Sequence, residues 1–299
     1  MNAPAGGTRP ASTGSLREWN ADVYHRVSDP QRAWGAEVLS RLPLAGTELV
    51  LDVGCGTGRL TFELLQRLPR GRAIGVDLSA NMIATAGRHL LPAFASHIDF
   101  VRADAAALPF AGCADAIFST ATFHWVLDHD RLFSNLYAAL KPGARLVAQC
   151  GGAGNLHRLH DRCDRLMLEP RFASYFHGWQ EPWEFADAAT TARRLARAGF
   201  VDIRTSVEAA PILQPTRDAF VEFVTNVICR PHLARLPDAP LRDAFMDAIA
   251  ALAADDTPPF QLDYWRLNIE AKRTDAGSAK CQVPSAKWSE AVVSGEWWL

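Results

Sequence analysis

From Leu49 onward the chain alternates short apolar runs with stretches of helical periodicity. The runs are LVLDVG (49–54), AIGVDL (73–78), IDFVRAD (98–104), DAIFSTA (115–121) and ARLVAQCGG (144–152). Between them, residues such as Leu132, Leu136, Ala139 and Leu140 fall on one helical face. Runs rich in Val, Ile and Leu, separated by helices, predict parallel strands covered on both faces. The expected class is α/β, a doubly wound Rossmann-like sheet.

Past residue 152 the rhythm changes. A helix is expected over 187–198, ended by Gly199, with a strand in VDIRTSVEAAP (201–211). Phe220, Phe223, Val224, Val227 and Ile228 stand at i, i+3, i+4, i+7 and i+8, which predicts a helix stopping before Pro231. The run DYWRLNIEAKR (263–273) alternates as a last strand. Segments 151–184 and 211–262 are too long for connectors and predict a helical cap over the end of the sheet where ligands bind. Residues 1–15 read as a disordered lead and 274–299 as an appended tail, leaving 16–273 as the domain.

Composition narrows the class. At 299 residues and 48% apolar, the chain can bury a full core. A formal charge of −2 without a basic stripe argues against a nucleic-acid partner. The N-terminus lacks the apolar segment of a secretory signal, and no apolar run approaches the ~20 residues that span a bilayer, so a cytoplasmic protein without a membrane partner is expected. Cysteines 55, 113, 150, 163, 229 and 281 form no C-x-x-C pair and no metal-like spacing with histidine. They are expected to be reduced and buried, with no metal bound. His157 and His160, with Asp161 and Asp164, have helical spacing that reads as a solvated face rather than a metal site.

The sharpest chemical signal is LDVGCGTGRLT (51–61), where a strand runs into Gly54, Gly56 and Gly58 and a helix follows. Glycines at this spacing permit a tight turn and close approach of backbone to ligand. Amides at the helix start then face a polar or negative group. Asp77 closes the second run, where a carboxylate can accept two hydrogen bonds from a ribose diol. Asp104, at the end of the third, is placed to contact an adenine amino group. Together these point to a nucleoside-bearing cofactor. A nicotinamide-dependent oxidoreductase prefers G-x-G-x-x-G, whereas the sixth position here is Arg59. Asp52, just before the glycines, would repel a pyrophosphate but suit the ammonium of a methionine moiety. S-adenosylmethionine (SAM) is the expected cofactor. An NAD(P)-dependent oxidoreductase and a non-catalytic SAM-binding protein are the alternatives.

The ordered series LDVGCGTG, GVDLSANMI, RADAAALPF, DAIFSTATFHWV and LKPGARLVAQ resembles that of class I SAM-dependent methyltransferases. Within them the chain is most similar to the trans-aconitate methyltransferase group and related small-molecule carboxyl methyltransferases. WNADVYHRVSDPQRAWG (19–35), STATFHWVLDHDRLF and FVTNVICRPHL (223–233) carry that closer likeness. The resemblance covers about residues 16–273 and implies a seven-stranded, mostly parallel sheet with an antiparallel last strand. It also implies roles. Gly54, Gly56 and Gly58 would cradle the methionine part, with Asp52 near its amino group. Asp77 would hold the ribose, Leu78 and Met82 would lie against the adenine, and Asp104 with Ala105 would read the adenine edge. Thr120 would sit beside the cofactor, and Tyr24 would fold over its methionine end.

Methyl transfer from a sulfonium is an in-line displacement that depends on alignment and exclusion of water. A carboxylate acceptor is already ionised and needs no base. By family analogy, the absence of an N-P-P-Y-type motif after the fourth strand, where STATFHWVLDH stands, argues against nucleobase or amide methylation. The expected acceptor is therefore a small molecule methylated on a carboxylate or other oxygen. His124 is either a general base or a positioning group packed beside the cofactor. Trp125 reads as a pocket wall, and His129 with Asp128 and Asp130 as a cap for a helix beginning at Arg131. Arg230 is the candidate anchor for an anionic acceptor, with His232 assisting; a solvated helix-end arginine is the alternative. Tyr175, Phe176, Trp179 and Trp183 read as the roof of the cleft or the core of the cap. Gln31 and Trp34 read as packing, with Gln31 within possible reach of the cleft.

Overall fold

In the computed structural model, which describes residues 18–27 and 29–275, two helices, α1 (Ala21–Val27) and α2 (Asp29–Ser40), precede the sheet. The expected lead at 1–15 and the tail from residue 276, with Cys281, lie outside the described residues. The alternation then runs β1 (Leu49–Val53), α3 (Arg59–Gln66), β2 (Arg72–Asp77), α4 (Ala80–Phe94), β3 (Ile98–Arg102), β4 (Ala114–Thr120), α5 (His129–Ala139) and β5 (Leu140–Gly151). After it come α6 (His157–Met167), α7 (Ala188–Ala198), β6 (Phe200–Ala209), β7 (Ile212–Leu213), α8 (Arg217–Phe223), α9 (Arg230–Leu233), α10 (Ala239–Ala254), β8 (Gln261–Leu262) and β9 (Trp265–Arg273).

Seven strands form one sheet in the order β3-β2-β1-β4-β5-β9-β6. The first five are parallel, with Leu51 facing Ile74 on one side and Ile117 on the other. Strand β9 runs antiparallel to both β5 and β6. The strand order reverses beside β1, between β1 and β4, which is where an open sheet of this kind offers a crevice. This is the doubly wound sheet expected from the apolar runs, with the last strand antiparallel.

Burial explains why those runs carry so few polar residues. Leu51, Ile74, Ile117 and Leu146 pack on one face against Leu132, Phe133 and Leu136 of α5 and Leu195 of α7. Val50, Ala73, Phe100, Phe118 and Val147 pack on the other face against α2, α3 and α4. Local chemistry sets the helix ends. Ser79 caps α4 by accepting the Met82 amide, and Asp187 caps α7 by accepting that of Thr190. Gly199 ends α7 in the left-handed region at φ 99°.

Helices α6, α8 and α10 share a separate core, with Phe172, Phe220, Phe245 and Ile249 at its centre. The helix expected through Ile228 is divided. Regular helix ends at Phe223 and a π-helical turn covers Val224–Ile228. Pro231 then lies in the first turn of α9 instead of following a helix end. A first-turn proline loses no hydrogen bond, because that N–H has no partner within the helix. Strands β7 and β8 pair as a two-stranded sheet that the sequence reading did not anticipate. Two residues are too few to show a period.

Candidate functional site

Strand β1 ends at Val53, and the turn that follows places Gly54, Gly56 and Gly58 at φ 81°, 54° and 82°. These values favour glycine. At Gly54 a Cβ would also lie 1.9 Å from Thr122 Oγ1, so the turn after β4 packs directly on this loop. At Gly56 nothing lies within 4 Å of an added Cβ, and this residue forms part of the wall of a cavity of about 630 Å³. The cavity opens at the carboxyl ends of the strands, where Val53, Asp77, Ala103 and Thr120 meet cap residues Leu156, Trp183 and Ile228.

Asp77 lines the cavity. Its Oδ2 accepts the Gly56 amide at 2.9 Å and its Oδ1 accepts that of Ser79 at 2.9 Å, leaving a second lone pair on each oxygen. Burial pushes its pKa up to about 6, against the lowering effect of those amides. Asp104 accepts the Ala106 amide at 2.9 Å, which curls residues 105–107 into a short turn along the cavity edge. Leu78, Met82, Ala105, Thr120, Trp125 and Tyr24 also line the cavity. Burial, reinforced by the charge of Asp77, pushes the Tyr24 hydroxyl up to about 12, so it remains a neutral donor.

Two of the expected cofactor residues stand elsewhere. Asp52 is only 3% exposed, is not part of the cavity wall, and accepts the Thr61 hydroxyl at 2.6 Å. Alternation along β1 turns this side chain toward α3, and burial raises its pKa to about 7. Gly58 starts α3, where a Cβ would lie 2.8 Å from Leu90 and 3.2 Å from Ala86. It permits close packing of α3 on α4 and does not line the cavity.

The histidines separate clearly. His124 lines the cavity, and its Nδ1 accepts the Gly151 amide at 3.2 Å. The ring proton therefore sits on Nε2. Burial, with Arg266 and His129 nearby, pulls the pKa down to about 3. His124 is thus a neutral donor, and its basic nitrogen is already occupied. His129 is buried within α5, where its Nε2 lies 3.0 Å from the Phe123 carbonyl, while Asp128 alone caps that helix. His157 pairs with Asp161 on the surface, as a solvated face would. His160, on the same helix, turns inward onto Trp183 at 4.6 Å and lines the cavity. His232 is 1% exposed and stacks on Trp179 at 4.6 Å inside the cap, away from the cavity. Trp183 also lines the cavity, whereas Phe176 and Trp179 pack with His232 in the cap core.

Arg230 and Arg266 both line the cavity. Arg230 lines the cavity, donates to the Glu18 backbone carbonyl and stacks on Trp19 at 4.2 Å. Arg266 was not singled out by sequence reasoning. It is 4% exposed and lines the same cavity, with Nε donating to Gln149 Oε1 at 3.2 Å and the guanidinium 4.7 Å from the Trp34 ring. Asn268 accepts the Gln149 amide nitrogen and an Arg41 nitrogen, both at 2.8 Å, and so orients the Gln149 oxygen toward Arg266. Among the described residues no carboxylate lies within 4 Å of this guanidinium. In sequence, Arg266, Asn268 and Glu270 alternate with Leu267, Ile269 and Ala271, which reads as a polar outer face. Trp34 of α2 and Arg41, just after that helix, cover that face. Trp19 was also missed. It meets Tyr24 and Trp125 edge-on at 5.3 and 5.6 Å, closing the N-terminal segment over the cavity.

A methyltransferase-domain family model matches residues 50–143, the stretch from β1 to β5. The trans-aconitate 2-methyltransferase of Deinococcus radiodurans is 30% identical over 230 residues, covering 74% of this chain and 84% of that protein. That of Azoarcus sp. strain BH72 is 35% identical, covering 74% and 83%. The chain belongs to the trans-aconitate 2-methyltransferase family. The solved Haemonchus contortus phosphoethanolamine N-methyltransferase 2 shares the fold, with TM-score 0.56 at 19% identity over 85% of this chain and 57% of that one.

The protein is therefore a SAM-dependent methyltransferase, and its cavity fits that cofactor. Asp77 keeps free lone pairs for a ribose, the Gly56 backbone leaves room beside it, and Met82 and Leu78 supply an apolar wall next to Asp104. His124, Trp183 and Arg266 line the same cavity together with the cap residues.

Proposed function

We propose that this methyltransferase esterifies a small-molecule carboxylic acid, as the names of the trans-aconitate 2-methyltransferases suggest for those relatives. The observation that carries this reading is Arg266, a buried guanidinium in the cavity wall without a protein carboxylate partner. A buried cation without a counter-ion is costly, and an acceptor carboxylate would compensate it with charge-assisted hydrogen bonds. Bound SAM would supply an electrophilic methyl group, with its sulfur as the leaving atom, to a carboxylate oxygen that needs no proton removed.

The chain's residues then align the acceptor and exclude water. Arg266 orients the acid, held in turn by Gln149, Asn268 and Arg41. His124 offers a neutral Nε2–H, and Tyr24 a hydroxyl that stays protonated. Trp19 and Trp125 cover the junction between the two halves of the cavity. None of these groups is poised as a base, which suits an acceptor that arrives ionised.

Arg266→Gln tests the reading. A lost charge-assisted contact of about 1.5–3 kcal/mol predicts an acceptor KM raised roughly 10- to 100-fold. The dissociation constant of S-adenosylhomocysteine should stay within about threefold, and Arg266→Lys should recover part of the loss. If Arg266→Gln weakens the cofactor product instead and spares acceptor KM, the guanidinium serves the cofactor and the reading is wrong.

A further inference from the structure

Two segments far apart in sequence bring soft metal ligands together inside the cap. Cys163 lies on α6, Cys229 follows the π-helical turn, and His232 lies in α9. The Cys163 and Cys229 sulfurs are 3.9 Å apart, and a ring nitrogen of His232 stands within 4.8 Å of both. None of the three residues is more than 1% exposed. Among the described residues, the buried Nδ1 of His232 has no hydrogen-bond partner, and the ring is surrounded by Phe176, Trp179 and Trp183. A buried ring nitrogen left unpaired is costly, and a bound ligand would offset that cost.

We infer that Cys163, Cys229 and His232 form a binding site for one divalent ion of the zinc class. Two sulfurs and an imidazole, with no oxygen donor among them, select a soft or borderline ion over magnesium or calcium. Charge then selects a divalent one. Two thiolates, a neutral imidazole and a divalent ion sum to zero, which suits the apolar cap core of Phe172, Phe176 and Phe245. A monovalent ion would leave a net negative charge there. The sulfur spacing agrees, since two thiolates bound to a tetrahedral zinc stand about 3.8 Å apart. The ion takes the place of the two thiol protons, which leave to solvent. A water fills the fourth position, as in zinc sites with three protein ligands.

Spacing along the chain conceals this site, because Cys229-x-x-His232 supplies two donors and Cys163 stands 66 residues earlier. Cys229 and His232 flank Arg230 and Pro231, which line the cavity, whereas neither cysteine does. A bound ion would therefore tie α6 to the turn that carries Arg230, bracing the cap without touching the reacting groups.

The test uses the full chain, treated with a chelator and held without air in a phosphine reductant, with Co(II) as the spectroscopic probe and Zn(II) as its competitor. The expected result is one equivalent of bound Co(II) with an intense thiolate-to-cobalt charge-transfer band, which Zn(II) abolishes. Zn(II) at about 100 times its Kd should raise the Tm by roughly 5–11 °C. Cys163→Ala and Cys229→Ala, checked for folding by circular dichroism, should each lose the band. Cys150→Ala, which removes a buried cysteine of β5, should keep it. Absence of the band from the wild type overturns the inference whatever the variants do. Survival of the band in either Cys163→Ala or Cys229→Ala, or its loss from folded Cys150→Ala, also overturns it.

Discussion

Replacing His124 separates a donor from a base. The ring accepts the Gly151 amide through Nδ1, and its pKa near 3 leaves about one molecule in ten thousand protonated at pH 7. His124→Ala leaves the buried Gly151 N–H without an acceptor, a cost of about 1–3 kcal/mol. At about 2–4 °C per kcal/mol, the melting temperature should fall by roughly 2–12 °C. His124→Asn keeps an oxygen where Nδ1 was and should melt within about 2 °C of the wild type, since that hydrogen bond is retained. Both variants lose the Nε2–H, worth about 0.5–1.5 kcal/mol, so kcat/KM should drop only about 3- to 10-fold. Loss of a general base would cost about 100- to 10,000-fold. The assay is kcat/KM for a methylated acid from pH 5 to 9, alongside thermal melts. An acid-side limb near pH 6 that persists in both variants fits the raised carboxyls Asp77 and Asp52, not His124. A limb between pH 6 and 7 that disappears in His124→Asn would refute the donor assignment and restore a base.

Two further predictions address the cofactor end. Asp77→Ala should weaken S-adenosylhomocysteine at least about tenfold by calorimetry, because it removes charge-assisted hydrogen bonds of about 1.5–3 kcal/mol; unchanged affinity would remove Asp77 from the ribose site. Asp52 has a folded-state pKa raised to about 7, so its contribution to stability is present below the unfolded value near 4 and is lost as pH rises through 7. Between pH 5 and 8 the wild type should lose about 2–3 kcal/mol at this group, a loss that Asp52→Asn lacks because its amide does not titrate. Urea unfolding at the two pH values measures the difference, and parallel curves for the two proteins would count against the shift. His124 and His160 act in the opposite sense. Their lowered pKa values give stability present above about pH 6.5 and lost as pH falls toward 3, so the comparison with Asp52→Asn isolates the aspartate.

Much of the cofactor half was legible along the chain because its signals are local. Gly54 and Gly56 must adopt positive φ where a strand turns into a helix, and Asp77 and Asp104 follow as strand ends, whatever the cap does. Asp52 was misplaced by the same local reasoning. It lies near the glycines in sequence, but strand alternation turns it behind the cavity to Thr61. The acceptor half was less legible. Arg230 carried the expected charge, yet one of its nitrogens donates to the Glu18 backbone carbonyl and its guanidinium lies over Trp19, residues more than 200 positions away. His160 belongs to a helix that reads as solvated, and only the Trp183 and Phe185 rings show that it faces inward.

The amino-acid sequence by itself determined the sheet, its strand ends and the glycine turn, since apolar periodicity and backbone conformation depend on neighbours in the chain. Tertiary structure decided which charges remain available. Whether Arg266 is a solvated or a buried strand residue depends on Trp34 of α2 and on Arg41 covering β9, contacts between segments more than 200 residues apart. Whether His124 is a base depends on the single amide of Gly151 that reaches its Nδ1. Desolvation and hydrogen-bond occupancy are properties of the assembled cavity, and they set the protonation states of the groups that line it.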